Sequence, residues 1–539
     1  MSRIEALAAR ARAWGGAVRE RAPSVLRREL GAIASRRNLA LYVALGLVVR
    51  AAWDVRARLA YEYKGPINDD APIFAAMGRG ILNHIPLYTG LFETKPPIVF
   101  LLFALSEKLT RSYRLVTGVE VAALVAVMLV PIALVLRYRH ALPDLGWRLL
   151  GACLGGSLLL LYTAERAGQL QVESFGAAFL LPWVWVWARP PGVSTHGWGR
   201  LVVGAVSVAC ATLTKEPFVL VALAVGLLSA RSRKDARDLA AMLVLGGGIA
   251  CLALVVTGAA RGYFGTYLNE MLFHTAFTDE KIDTSRLLDK GFDWARFHDA
   301  TDFAPAAAVV FLAAAWVAMS QQRAASSEPW GWILTRWWLA LVLGSLAVSL
   351  SGRYYPHHFV CVVPCALSVL VAWLLSGPEP AGGEVTRFAS AAALLGLVTT
   401  TLVHTRTHPE DGLETMRTGA INAATAAHAI DQALTCMHEE RWVFIGKNGV
   451  QPWGWTEHSP VGPFFFQYQH WFDKEPAHRE QLFHELDGSR LLVLWGYSAG
   501  NTSAVLKERM EARFRPGLPA ECSSLSIPLP WAFWSAKPR

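Results

Sequence analysis

The chain has 539 residues, 53% of them hydrophobic and only 17% charged, with a mean hydropathy of +0.31. That balance excludes a purely soluble protein. The formal charge of +9 lies in short basic segments between apolar runs, the pattern of membrane topology signals, so nucleic-acid partners are set aside.

Residues 1–38 are rich in arginine, from Arg3 to Arg37, and fit a signal peptide poorly. They read either as a solvated cytosolic tail or, through Ile4, Leu7, Ala8 and Ala11 on one helical face, as a helix lying on anionic lipid. Membrane-length apolar segments follow at roughly 39–60, 115–136, 148–164, 174–188, 201–214, 217–230, 239–260, 304–320, 337–351, 359–376 and 389–404. The run Pro97–Leu109 is too short for a bilayer of about 30 Å and reads as a juxtamembrane helix. If it does not cross, the arginine-rich segments 137–148 and 231–237 share the side of the N-terminal tail, as the positive-inside rule demands.

This gives about eleven spans, with the N-terminus inside and the C-terminus outside. The first outer loop, 61–114, then presents Asp69, Asp70, Glu93 and Lys95; the next presents Glu165, Arg166 and Glu173. A hairpin adds Lys215 and Glu216, and a longer loop adds His274, Asp279, Glu280 and Asp283. The last segment before the tenth span adds Arg353, His357 and His358. Acids and bases thus gather on one face. Beyond about residue 405 the chain turns polar: helices near Ala420–His438 and Gln481–Leu486 alternate with strands at Trp442–Gly446 and Leu491–Gly496. The alternation indicates a small α/β domain on the outer side. Cys436 and Cys522 lie in it and could pair in an oxidising compartment, whereas the other five cysteines sit in apolar runs as packing residues.

The adjacent carboxylates Asp69 and Asp70 repel one another, and partial burial raises at least one pKa, which makes a base that works near neutrality. The same acids would also cap the helix that follows. Lys95 precedes Pro96-Pro97 and Lys215 precedes Glu216-Pro217, each a cation fixed at a helix start. With Arg353, His357 and His358 they suit a lipid-linked phosphate, although each alone also suits interfacial snorkelling. His357-His358 could ligate a metal, but neighbours in sequence rarely share one ion. Glu173 is either a second acid in an acceptor or metal site or the partner of Arg166.

The run from Asp69-Asp70 through Pro86-Leu87-Tyr88 to Phe92-Glu93-Thr94-Lys95-Pro96-Pro97 resembles the first outer loop of bacterial GT-C glycosyltransferases. More closely, it is similar to the family of protein O-mannosyltransferases and the aminoarabinose transferase of lipid A. Gln171-Val-Glu173, Leu213-Thr-Lys215 and Arg353-Tyr-Tyr-Pro-His357-His358 resemble later outer-face motifs of that family. Asp70 stands where the family has Glu, and Ala71 where Gly is commoner.

The resemblance implies a predominantly helical GT-C membrane domain over 39–404 and an outer α/β domain over 405–539. Its activity would be inverting transfer of a hexosyl or pentosyl group from a polyprenyl-phosphate donor to a lipid, glycan or protein hydroxyl, at the outer face of a bacterial cytoplasmic membrane. Asp69 would be the general base, with Asp70 and Glu173 as companion acids. Lys95, Lys215, Arg353 and His357 or His358 would neutralise the leaving phosphate. No cofactor is required by this reading; some relatives bind a divalent cation near these acids, which leaves metal dependence open. A transporter of a lipid-linked glycan and a non-catalytic membrane scaffold are the rival readings.

Overall fold

A computed structural model describes residues 70–166, 170–190, 197–269, 316–320, 328–349, 356–376, 409–446, 451–458, 476–495, 503–527 and 531–537, with a few isolated positions besides. The predicted tail 1–38, Asp69, Arg353, the loop acids near His274 and the segment 389–404 lie outside them, as do most of 39–60 and 304–320 and the side chains of Glu165 and Arg166.

The outer loop forms α1 (Asp70–Leu82) and α2 (Ile98–Thr110). At 13 residues, α2 rises only about 20 Å and cannot span a bilayer. Its observed ends match the predicted non-crossing segment within a residue. The two helices meet at Gly78, where a Cβ would stand 2.7 Å from the backbone N of Ala104. Glycine is required by that approach.

The bundle follows as α3 (Arg114–Arg137), α4 (Leu145–Arg166), α5 (Val172–Phe179) continued by α6 (Leu181–Trp187), α7 (Trp198–Thr212), α8 (Phe218–Ser229), α9 (Arg233–Val256), α10 (Trp330–Ser349) and α11 (Val363–Leu374). Among the described residues, five helices are long and apolar enough to cross a membrane. Three shorter apolar helices run beside them. Eight of the predicted segments therefore correspond to helices, and the total of eleven is not reached within the described residues.

Two boundaries differ for a common reason. The helices α9 and α10 begin before the predicted apolar stretch does, because charges near their starts are paired: Asp235 in the first turn of α9 accepts from Arg189 at 2.5 Å, and Arg336 in the second turn of α10 pairs with Glu328. A satisfied charge does not end a helix. The predicted single helix 174–188 is broken at Leu180, one residue before α6 opens with a proline at its N-terminus.

Leu252, Val255 and Val256 on α9 and Trp338 on α10 are exposed. An apolar outer surface of this kind fits lipid and would be a liability in water. The chain is a multi-pass membrane protein. Exposed Trp147, Trp198, Trp330 and Trp332 all lie at the starts of α4, α7 and α10, where they form an interfacial belt at one end of the bundle. That end also holds the buried Arg189–Asp235 pair and the Arg200–Asp238 pair at 3.3 Å.

The C-terminal part contains α12 (Pro409–Cys436), β1 (Trp442–Gly446), α13 (Pro476–Gly488), β2 (Leu491–Trp495), α14 (Ala504–Arg513), β3 (Phe514–Pro516) and β4 (Trp531–Ala536). The sheet order is β1-β2-β4-β3, with β1 and β2 parallel and the rest antiparallel. Alternation sorts the strands cleanly. Trp442 and Phe444 face α12, while Val443 and Ile445 face Leu482, Leu486, Leu506 and Met510 of α13 and α14. Both predicted strands are present; β3 and β4 are additions, β3 only three residues long and ending at Pro516, and β4 preceded closely by Pro528 and Pro530. Cys436 and Cys522 form a disulfide that ties the end of α12 to the loop before β4.

Two measurements probe this domain. The disulfide closes a sequence separation of 86 residues, and its loss removes about 4.6 kcal/mol in the chain-entropy account. Cys522→Ser is therefore expected to lower the thermal midpoint, and a reductant should do the same to the unaltered protein. Burial pushes the Glu485 carboxyl up to about 7 against a single long hydrogen bond from Gln481. Because its folded pKa exceeds the unfolded value of 4.5, the native state binds the extra proton, and stability is lost as pH rises from 4.5 to 7. The loss is on the order of 3 kcal/mol. Glu485→Gln should be more stable than the parent at pH 8 and equal to it at pH 4.5, read by thermal unfolding at the two pH values.

Candidate active site

The end of the bundle opposite the tryptophan belt collects the predicted residues. Asp70 opens α1, in the first turn, where the helix dipole favours a carboxylate. The chain then turns through Pro86-Leu87-Tyr88. Tyr88 adopts φ +66°, donates its hydroxyl to the carbonyl of Lys95 at 3.0 Å and packs its ring against Tyr267. That contact fixes the loop carrying Glu93 and Lys95. Lys95 Nζ donates to Glu93 Oε1 at 3.2 Å and to the Thr94 hydroxyl at 3.2 Å. Burial alone would lower the Lys95 pKa, but the carboxylates of Glu93, Asp70 and Glu173 outweigh it and hold the ammonium charged above its usual range.

Immediately after Pro97, the Ile98 backbone N–H donates to the carbonyl of Leu213 at 3.1 Å. The bond docks the Lys95 loop on the α7–α8 hairpin, which bears Lys215 and Glu216. These neighbours serve opposite sides. Lys215 donates to Glu173 Oε1, and Glu216 Oε1 accepts from Tyr267 at 2.6 Å and from Tyr263 at 3.2 Å. Tyr263–Tyr267 form a single π-helical turn, a local geometry enriched near functional sites.

Glu173 stands in the first turn of α5 and is 1% exposed. Its approach is set from a distance: Leu170, at φ +54°, donates its backbone N–H to Glu120 Oε1 of α3 at 3.0 Å. Glu173 pairs with Lys215, whereas the side chain of Arg166, the partner considered from sequence, lies outside the described residues. On its other side lies the 3-10 turn Pro356–Val362. His358 Nε2 is 3.9 Å from Glu173 Oε1, and the rings of His357 and His358 stand nearly perpendicular with centroids 4.6 Å apart.

Of the residues singled out from sequence, the structure brings together Asp70, Lys95, Glu173, Lys215, His357 and His358; Asp69 and Arg353 lie outside the described residues. Sequence reasoning missed Tyr88 as a brace, Glu120, the Glu216–tyrosine cluster and, above all, Arg79. Arg79 donates to the Tyr113 hydroxyl at 2.8 Å, to the Gly454 carbonyl at 3.3 Å and to the Thr456 carbonyl, and Tyr113 also donates to Gly454. These bonds hold the loop helix α1 against the C-terminal domain. Only a lone arginine inside an apolar helical run hinted at it.

No protein-family model matches the chain, and no curated protein matches it. Among solved structures it is similar to the crystal structure of ArnT from Cupriavidus metallidurans bound to undecaprenyl phosphate. The identity is 15% and the TM-score 0.50, over 93% of this chain and 99% of that one. The apo structure of the same protein aligns at 15% identity with a TM-score of 0.48, over 92% and 100% of the two chains. The fold is GT-C. It is the fold of an aminoarabinose transferase, in agreement with the resemblance carried by residues 69–97. At this identity the two chains share an architecture, and the chemistry has to be argued from the residues.

The buried pair makes a sharp prediction. Lys215→Met strands the Glu173 carboxylate and should cost about 3–5 kcal/mol, read as a lowered thermal midpoint in detergent. Glu173→Gln in the same chain should restore most of it.

Proposed function

We propose that this protein is an inverting membrane glycosyltransferase that moves a sugar from a polyprenyl phosphate to an acceptor hydroxyl. One observation carries the reading: Lys95, Lys215, Glu173, His357 and His358 come from four separate segments yet meet at one end of the helices of a GT-C fold. The ArnT crystal structure named above holds undecaprenyl phosphate. A lipid-linked phosphate has its charge at the membrane edge, where these cations lie.

In the proposed reaction the acceptor oxygen attacks the anomeric carbon while the Asp69 carboxylate takes the hydroxyl proton. The bond between the anomeric carbon and the phosphate oxygen breaks, and the phosphate leaves with the electron pair. One displacement inverts the centre. Charge then accumulates on the leaving phosphate, where Lys95 and Lys215, joined by Arg353, stabilise it; preorganised charge at that point is commonly the largest catalytic contribution. Asp70, one residue on, keeps the loop ordered at the start of α1.

We place the site and the C-terminal domain on the extracytoplasmic side of a bacterial cytoplasmic membrane, with 405–539 as that domain. The Cys436–Cys522 disulfide supports this, because disulfides persist in oxidising compartments. The described site charges lie at helix ends rather than within the bundle, which argues against a transporter with a midplane site. A sugar on a polyprenyl phosphate, offered to the purified protein, tests the proposal. Asp69→Asn should reduce transfer by at least about a hundredfold, as expected for loss of a general base. Undiminished transfer by a variant that inserts and folds normally removes the assignment.

A further inference from the structure

Glu173, His357 and His358 each offer one ligand atom, and the three atoms lie within 4.8 Å of one another. Two independent features make this more than proximity. Glu173 spends Oε1 on Lys215, while Oε2 is buried with no hydrogen-bond partner. A buried polar atom without a partner is destabilising by about 1–3 kcal/mol, more when charged, and calls for an explanation. The two histidines, moreover, occupy a 3-10 turn, whose consecutive side chains diverge by about 120°, and their rings are crossed at 87°. Crossed rings let sequence neighbours address one carboxylate from two directions, which overcomes the objection raised from sequence.

We propose that Glu173 Oε2, His357 and His358 form a binding site for a divalent transition-metal ion of the zinc type, with at least one coordination position left open. Two imidazoles and a carboxylate suit zinc or a neighbouring first-row ion; magnesium and calcium prefer oxygen throughout. Donors bonded to zinc at 2.0–2.1 Å stand about 3.3 Å apart in a tetrahedron. The three ligand atoms, within 4.8 Å of one another, close to that by side-chain movement, and His358 Nε2 already lies 3.9 Å from Oε1 of the same carboxylate. The Lys215 ammonium on Oε1 leaves Oε2 as the ligand oxygen. An open position beside Lys95 and Lys215 would take an oxygen of a phosphate; that role rests on the glycosyl-transfer reading, whereas the metal site itself does not.

Full-length protein in detergent, stripped with a chelator, reloaded with zinc chloride and passed through a desalting column, should retain about one zinc per chain, measured by mass spectrometry of the metal. His357→Ala, His358→Ala and Glu173→Gln should each lose most of it. His458→Ala, which removes a histidine bonded to Asp431 at 2.7 Å in the C-terminal domain, should retain it. Zinc-free unaltered protein, or full retention in the three site variants, overturns the proposal. Should the variants fail to fold, cobalt(II) added to the unaltered protein decides: an intense visible band of low-coordinate cobalt supports the site, and the faint spectrum of the hydrated ion overturns it. Sugar transfer is assayed separately. Zinc retention without transfer sinks the enzyme reading alone, and transfer without retention sinks the metal site alone.

Discussion

A carboxylate buried at the mouth of a membrane bundle has to be compensated, and Glu173 is compensated by Lys215. An isolated ionised group in a medium of low dielectric is destabilised by several kcal/mol, so the geometry that supplies a partner is strongly selected. Meeting that demand draws the start of α5 to the α7–α8 hairpin. The hairpin in turn receives the start of α2 through Leu213, and α2 carries α1 against it at Gly78. The juxtamembrane loop is thus referred, contact by contact, to one ion pair. At the other end of the helices Arg189 and Asp235 meet under the same constraint, and the bundle is pinned at both mouths by charges that neither lipid nor protein would tolerate singly.

The C-terminal domain takes part in this arrangement. One face of its sheet, with Trp442, Phe444, Val493 and Phe533, belongs to the same apolar core as Phe74, Phe100 and Phe103 of the loop helices. Trp453 stacks on Trp442 with centroids 3.9 Å apart, and its turn presents the carbonyls that Arg79 and Tyr113 grasp. Asp431 on α12 secures the far side of that turn through Thr456 Oγ1 and His458. A continuous apolar core with a polar clasp resists hinge motion better than either alone, so the α1 helix that presents Asp70 is held from two sides, by α2 and by the domain above it.

Much of this was legible in the chain. Apolar runs gave the helices, and the length of Pro97–Leu109 excluded it as a span; both follow from a bilayer about 30 Å thick. The gathering of Lys95, Glu173, Lys215 and His357-His358 followed from the same topology. Pairing was not legible. Nothing in the spacing of Glu173 and Lys215 says that they pair, because the contact is made by the crossing of α5 with the α7–α8 hairpin. Arg79 was invisible for a related reason: its partners are backbone carbonyls of Gly454 and Thr456, hundreds of residues away, and backbone leaves no mark in composition.

Lys95 is matched by Glu93 and Lys215 by Glu173, so the described lysines, counted with their carboxylates, offer an incoming phosphate no net positive charge, and Asp70 subtracts from what there is. Ion pairs polarise and yield, but an anion gains little from displacing one carboxylate by another. On the proposed glycosyl-transfer reading, attraction for a lipid phosphate would draw on added positive charge, such as the proposed Arg353 or a divalent ion at Glu173 and the two histidines. An ion there would neutralise the stranded Oε2, offset the acids of the first loop and leave Lys95 and Lys215 to act on the phosphate. The pairing that stabilises the fold thus uses up the lysine charge that the proposed chemistry would draw on.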